Sequence, residues 1–82
     1  KIAPRCPPEA SRNGINGEVV LSLVVNASGK VESVKLVSSK PARVFNREAS
    51  KAVRRWQFKP KTIDGVAVSQ KGQLKVEFVC NV

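Results

Sequence analysis

Residues 45–60 read FNREASKAVRRWQFKP, and this stretch predicts the element against which the rest of the chain packs. Its apolar residues recur at i, i+4, i+7, i+8 and i+11, a spacing that places side chains on one face of an α-helix. Pro60 ends any helix that continues past Trp56, because proline lacks a backbone N–H and clashes with the preceding turn. We therefore predict a main helix over residues 43–56 with one buried face. That face consists of Phe45, Ala49, Ala52, Val53 and Trp56.

The opposite face of this helix is basic and forms a candidate electrostatic patch. Eight of the fifteen Lys and Arg residues lie within residues 40–61, where the only acid is Glu48. The formal net charge of +9 and the pI near 10.3 favour an anionic partner, such as nucleic acid, a membrane surface or an acidic protein. A solvated helix face has the same composition, so charge alone does not separate the two interpretations. The patch residues are Arg43, Arg47, Lys51, Arg54 and Arg55.

Two segments before the helix predict a β-hairpin. Residues 18–25 are apolar on both faces, which is typical of a central strand. Residues 26–29, Asn-Ala-Ser-Gly, supply turn chemistry, and residues 30–38 return as a second strand. We expect Val34 and Leu36 of this second strand to face the core.

The ends of the chain predict an extended arm, a short helix and a third strand. Residues 1–8 contain three prolines, which keep the arm over residues 1–7 extended, and Pro7-Pro8 opens a short helix over residues 8–13. Asp64-Gly65 marks a turn in a loop of about ten residues after the main helix. The third strand, residues 72–80, alternates strictly between its two faces.

These elements predict one α+β domain over residues 1–82, in the order α-β-β-α-β, with the main helix on a three-stranded antiparallel-type sheet. A right-handed crossover through the helix returns the third strand beside the first, which gives the sheet order 2-1-3. The third strand is then an edge with unpaired N–H and C=O groups. Its charged residues either protect that edge from aggregation, or the edge docks an extended peptide by strand addition. The candidate docking residues are Gly72, Gln73, Leu74, Lys75, Val76, Glu77, Phe78 and Val79.

The chain has two cysteines, Cys6 and Cys80, and no histidine. Without histidine or a C-x-x-C pair, zinc-finger spacing and histidine-based triads are excluded, and we predict no metal and no cofactor. The cysteines are either small core hydrophobes or the disulfide of an exported domain. We favour the disulfide, because joining such distant positions restricts the unfolded chain by about 4 kcal/mol on the entropy model.

Several motifs together resemble the carboxyl-terminal domain of TonB, the energy transducer of Gram-negative outer-membrane transport. The specific motif is residues 52–60, AVRRWQFKP, which places Trp-x-Phe-x-Pro at the end of a basic helix in β-β-α-β order. Cysteine replaces the family's opening aromatic residue, and a second cysteine lies in the last strand. Both departures are explained together if Cys6 and Cys80 are joined. The weaker matches are residues 6–10, similar to the opening Tyr-Pro-x-x-Ala, residues 17–19, residues 29–31 and Ser38-Ser39.

The resemblance implies a non-catalytic mechanical coupler in the periplasm. No apolar run in this chain is long enough to cross a bilayer, so the inner-membrane anchor of the family, which works with the proton-driven ExbB and ExbD complex, is expected upstream. The domain itself captures the TonB box, an extended segment of outer-membrane receptors that import iron-siderophores or cobalamin. By this resemblance, capture is by strand addition to Gly72–Val79, and the arm residues Ala3, Pro4 and Arg5 contact the receptor plug. Trp56, Phe58 and Pro60 are implied to be structural.

The alternative from another class is a small basic nucleic-acid-binding domain. Gly14-Ile15-Asn16-Gly17 has the G-x-x-G pattern of the KH backbone clamp, but it precedes a strand instead of joining two helices. Most of the three Phe and one Trp are assigned to the core, so no stacking platform remains. We therefore predict no nucleic-acid partner. Monomer and homodimer both remain open.

An enzyme is the third class of protein considered. Ser50-Lys51 and Ser38-Ser39-Lys40 supply nucleophile and base types. The chain supplies no histidine and no glycine-rich phosphate loop that would complete a catalytic site with them. Serines beside lysines are also ordinary on a protein surface. We therefore predict no enzymatic activity.

Overall fold

Three strands form the main sheet of the structure, a computed structural model that describes residues 4–80. One face of the sheet is covered by a helix, and a small second hairpin extends from one end. The elements in chain order are α1 (Pro8–Asn13), β1 (Gly17–Val25), β2 (Val31–Lys40), α2 (Asn46–Arg54), β3 (Lys61–Ile63), β4 (Val66–Val68) and β5 (Gln70–Phe78).

The main sheet has the order β2-β1-β5 with both pairings antiparallel, which confirms the predicted α+β class and sheet order. β1 is central, and its Val19 lies opposite Ser39 of β2 and Val76 of β5. Asn26 stabilises the β1–β2 turn, because its Oδ1 accepts hydrogen bonds from the backbone N–H groups of Ser28 and Lys30. The two outer strands, β2 and β5, form the edges.

The core lies between α2 and the sheet, and it extends to the start of β1. Phe45 is fully buried and stacks on Phe78, with ring centroids 4.4 Å apart. Gly17 permits this contact, because a Cβ at this position would overlap the carbonyl oxygen of Lys40 and the Phe45 ring. Cys80 is also buried here and is joined to Cys6, which confirms the disulfide interpretation of the two cysteines.

α2 is shorter than the predicted helix of residues 43–56, since it covers only Asn46–Arg54. Arg43 has a φ of 65°, which is incompatible with a right-handed helix, so residues 41–45 form a turn. Phe45 and Trp56 contact the core from the turns that flank α2. The apolar spacing therefore extends beyond the helix, because the flanking residues pack on the same side.

A second hairpin, formed by β3 and β4, replaces the predicted ten-residue loop. Asp64 and Gly65 have φ values of 51° and 80°, which are the two positive values that a two-residue type I′ turn requires. The turn was predicted at the correct position, but its strands were missed. Asp-Gly between short apolar runs is the signal that would have found them.

Leu36 lies on the predicted face of β2, but it is not buried in the core. Its side chain is 51% exposed, whereas Val34 packs against the core. Leu36 lies opposite Leu21, and an irregularity in the β1–β2 register follows directly, between Val20 and Leu21. The register is regular from Val34 to Leu36, so Leu36 shares the sheet face of Val34 and of the buried Leu21. Its exposure therefore reflects its place on an edge strand, where alternation gives the face of a residue but not whether that face is covered.

Candidate strand-docking site

β5 is a sheet edge in the part of the chain that the structure describes. It pairs with β1 from Gly17↔Phe78 to Val25↔Gln70, and no other strand within residues 4–80 pairs with its second side. β5 therefore offers a row of N–H and C=O groups to an added strand over its whole length. It begins two residues before the predicted docking segment, and Val79 lies just beyond its end.

The backbone groups that point outward belong to the odd-numbered residues of β5. The Asn26 N–H donates to the carbonyl oxygen of Lys30 just before β2, so even-numbered residues of β1 face β2 and odd-numbered ones face β5. Odd-numbered residues of β1 lie opposite even-numbered residues of β5. The Cys80 N–H gives the same direction, since it donates to Asn16 Oδ1 just ahead of β1. The residues with outward N–H and C=O groups are Lys71, Gln73, Lys75 and Glu77.

The side chains of β5 divide by the same alternation. Val76 and Phe78 are buried in the core, and Leu74 is half-buried. The odd-numbered side chains are exposed on the other face, where Lys75 Nζ lies 3.6 Å from Glu18 Oε2. This is the only ion pair among residues 4–80, and both partners are largely exposed, so it contributes little stability.

An open apolar groove lies beside the first half of β5 and was not predicted. It lies near the β1–β2 turn end of the sheet, beyond the end of α2. A Cβ at Gly72 would meet nothing within 4 Å, which agrees with this open space. The groove is lined by Leu23, Val25, Phe58 and residues 70–74.

The amino-terminal arm is joined to the far end of β5. Cys6 is bonded to Cys80, two residues past the strand, and its Sγ lies 3.7 Å from the Val79 carbonyl oxygen. Of the predicted arm residues, Pro4 is half-buried and Arg5 is exposed, and Ala3 lies outside the described residues. The structure therefore brings the arm and the predicted docking strand together through a covalent bond.

The basic residues of the predicted electrostatic patch are all exposed. Arg47, Lys51 and Arg54 share one face of α2, because they are spaced by four and three residues. Arg55 follows the helix end, and Arg43 lies in the turn before the helix. None of these cations has a carboxylate partner within the described residues, so the patch presents its positive charge to solvent.

The Trp-x-Phe-x-Pro segment joins the end of α2 to the sheet. Trp56 and Phe58 both pack against the core, with their rings 6.2 Å apart. The Phe58 N–H donates to the Gly29 carbonyl oxygen at 2.8 Å, and Gly29, with a φ of 86°, allows this close approach. Pro60 is half-buried and directly precedes β3.

Geometry does not support the nucleic-acid alternative at the Gly14–Gly17 loop. Gly14 is the left-handed cap of α1, and Gly17 is the first residue of β1, against the Phe45 ring. The loop is therefore occupied by helix capping and core packing.

Within residues 4–80 there is no cluster of three potential metal ligands. No helix of that part of the chain is long and apolar enough to cross a membrane.

The fold and its edge define a class: small α+β domains in which one helix covers an antiparallel sheet whose final strand is paired on one side only within residues 4–80. The chain belongs to the family described as Gram-negative bacterial TonB protein C-terminal, whose sequence model matches residues 2–80. This assignment confirms the family predicted from the Trp-x-Phe-x-Pro motif.

Curated relatives and a solved structure support the assignment. Protein TonB of Xanthomonas campestris pv. campestris (strain B100) is 36% identical over 78 residues, which cover 95% of this chain and 35% of that protein. Protein TonB of Escherichia coli (strain K12) is 37% identical over 67 residues, covering 80% of this chain and 28% of that protein. The solution NMR structure of the Pseudomonas aeruginosa TonB CTD has a TM-score of 0.80 and 27% identity, covering 94% of this chain and 78% of that one. The chain thus spans about a third of the length of these curated relatives.

Proposed function

We propose that this chain is the receptor-binding domain of a TonB-type energy transducer, without catalytic activity of its own. It captures the TonB box of outer-membrane receptors by strand addition to β5. The observation that carries this proposal is the unpaired side of β5, where the alternate residues 71–77 direct their backbone groups outward. Its membership of the TonB carboxyl-terminal family supports the choice of partner.

The remaining parts of the proposed system lie outside this chain. In the proposal, a segment upstream anchors the protein in the inner membrane and works with an ExbB and ExbD complex, so the domain is periplasmic. The proton-motive force is then transmitted as mechanical work to receptors for siderophores or cobalamin. The disulfide is consistent with an oxidising compartment such as the periplasm.

Backbone pairing suits this task for two physical reasons. Main-chain hydrogen bonds do not depend on the side chains of the partner, so one domain serves receptors with varied sequences. A pull along a paired strand also loads several hydrogen bonds together. Each bond is individually modest, at about 1 kcal/mol net, so a pull shared among several bonds is resisted better than a pull on one bond.

The arm, the disulfide and the patch have supporting roles in the proposal. Force reaches the domain through the arm and enters β5 at Cys80 through the disulfide, with no passage through β1, β2 or α2. Pro4 and Arg5 lie before this bond and contact the receptor plug, together with Ala3. The exposed cations of α2 attract acidic receptor surfaces and raise the association rate.

Proline substitution on the outward side of β5 tests the docking proposal. Lys75→Pro removes one outward N–H and leaves the ladder to β1 intact, because Lys75 does not face β1. We expect the affinity for a TonB-box peptide to fall at least tenfold, since the ring also blocks close approach of the added strand. Titration monitored by amide chemical shifts measures both the affinity and the location of binding.

Lys75→Ala is the matched control, because it removes the charge and retains the N–H. We expect its affinity for the peptide to stay within about threefold of that of the original protein, because the loss of one exposed charge has a small effect. Unchanged affinity in a folded Lys75→Pro variant would disprove docking at this edge. The competing occupant of this edge is β5 of a second copy of the chain. Analytical ultracentrifugation without peptide detects the homodimer that this pairing would form.

A further inference from the structure

The β3–β4 hairpin continues the line of the docking strand after an interruption of one residue. β4 ends at Val68 and β5 begins at Gln70, so only Ser69 separates them. Residues 66–78 span roughly 43 Å if they are extended at about 3.3 Å per residue. The long axis of the molecule is 49 Å, which is consistent with β4 and β5 lying nearly in line along it.

The hydrogen-bonding directions of β4 match those of β5. Ile63 and Val66 flank a two-residue turn, and in such a hairpin the flanking pair exchanges its backbone hydrogen bonds. The even-numbered residues of β4 therefore face β3, just as the even-numbered residues of β5 face β1. β3 thus lies on the β1 side of the line, and Ala67 directs its N–H and C=O outward with the odd-numbered residues of β5.

The path of the chain into β3 indicates the same side. Gln57 bridges to Lys30 at the start of β2, and the Phe58 N–H donates to Gly29 in the β1–β2 turn. The chain therefore reaches Lys61 from the side of the sheet occupied by β1 and β2. The outer side of β4 is left unpaired among residues 4–80, like that of β5.

The hairpin also carries apolar surface on the face that adjoins the groove. Ile63 and Val66 lie opposite each other and are 54% and 64% exposed. By alternation, Val66 shares the sheet face of Leu74, whereas Lys71 and Lys75 lie on the other face. A strand added along this line therefore meets apolar side chains on one face. On the other face it meets polar side chains, among which Lys71 is the charged residue nearest β4.

We propose that the docking edge runs from β5 into β4, so that the captured segment is about a dozen residues long. This proposal rests on the proposed function, because it extends the same docking edge. The part of the segment that pairs with β4 carries apolar residues at alternate positions, which contact Val66 and the groove. Its intervening positions face the lysine-bearing side of the sheet and are polar or acidic.

Proline scanning of the hairpin with peptides of two lengths tests the extension. The probes are a seven-residue TonB-box peptide and two twelve-residue versions, extended by alternating Val and Glu at either the amino or the carboxyl end. One of the longer peptides should bind several-fold more tightly than the short one. Ala67→Pro should abolish that gain, a loss of roughly three- to tenfold for the outward backbone bonds of β4. The end that gives the gain also reports the direction of the bound strand.

Thr62→Pro is the matched control within the same hairpin. Thr62 lies directly opposite Ala67 but on β3, so its outward N–H lies on the side away from the docking edge. It should leave the affinity for all three peptides unchanged. Binding of the short peptide is the internal test that each proline variant is folded. Ile63→Ser with Val66→Ser, which retains every backbone group, should weaken only the long peptide.

The outcomes separate this inference from the function on which it rests. If neither longer peptide gains affinity, or if Ala67→Pro and Thr62→Pro both keep the gain, the edge ends at Gln70 and the extension is wrong. If Thr62→Pro loses the gain and Ala67→Pro keeps it, β3 and not β4 lies on the outer side, and the extension through β4 is wrong. If Lys75→Pro leaves the short peptide bound as before, the docking function itself fails, whatever the hairpin variants do.

Discussion

Two glycines determine how closely the segments of this domain approach each other. Gly17 lies against Phe45 and the Lys40 backbone, and Gly29 lies against the Phe58 backbone. Both belong to short motifs, residues 17–19 and 29–31, that on sequence alone were weak evidence for the family. The structure gives the physical reason for them, which is the absence of space for a Cβ.

A substitution at Gly17 tests this requirement. Gly17→Ala should lower the free energy of unfolding by about 1–3 kcal/mol, because the methyl group overlaps backbone atoms that cannot move without shifting β2. Urea denaturation monitored by tryptophan fluorescence measures the change. Gly72→Ala is the control, since its Cβ enters open space, and it should be neutral or slightly stabilising. Equal effects of the two variants would contradict the packing argument.

At the scale of elements, α2 combines a buried face with a cationic one. The buried face includes Ala49, Ala52 and Val53, whereas Arg47, Lys51 and Arg54 are exposed. The buried residues hold the helix on the sheet. The cations form no ion pair within the described residues, so ion pairing does not explain why there are three of them. Their proposed contribution is therefore to the rate of association, which depends on charge and is screened by salt.

Neutralising the α2 cations tests electrostatic steering. The triple variant Arg47→Gln, Lys51→Gln, Arg54→Gln should associate with an acidic receptor several-fold more slowly at low salt, with a small change in dissociation rate. The dependence of the association rate on salt should also become shallower. Stopped-flow measurements over a range of salt concentrations provide both quantities. The control neutralises the exposed Lys30, Lys35 and Lys59, which lie outside α2, and an equal slowing by the control would argue against a local patch.

At the scale of the whole molecule, the disulfide connects the two parts that the proposed function places under load. It joins residues 74 apart in sequence, so almost the whole domain lies inside the closed loop. A pull on the arm therefore reaches β5 directly through Cys80. Without the bond, the same pull passes first through α1 and β1, and then across the ladder from β1 to β5.

A pulling experiment distinguishes these two paths. With one handle on the arm and the other on a bound TonB-box peptide, the oxidised protein should release the peptide without prior lengthening. After reduction, the domain should unravel before release, by on the order of 200 Å at about 3.5 Å per residue, or release the peptide at lower force. Optical tweezers record both the length and the force. Identical traces with and without reductant would show that the disulfide does not carry the load.

The sequence by itself determined the class, the sheet order and the family of this protein. Those features depend on local periodicity, on turn residues such as Asn26 and Gly29, and on the Trp-x-Phe-x-Pro motif, all of which are visible in short windows. It also indicated the edge position of the last strand, because the connection rules leave one arrangement for β-β-α-β order. The residues expected to dock a peptide, Gly72–Val79, follow from that position and remain a proposal.

Only the tertiary structure decided the features that depend on contacts between distant residues. Phe45 and Trp56 belong to the core but not to α2, because the flanking turns bring them onto the same side of the sheet. Leu36 shares the face of the buried Leu21 yet is 51% exposed, because alternation within one strand gives the face of a residue but not whether that face is covered. The direction of each backbone group, and hence the continuity of the edge from β5 into β4, required the register of every strand pair. Local pattern specifies what an element is, whereas packing determines which of its sides remains free.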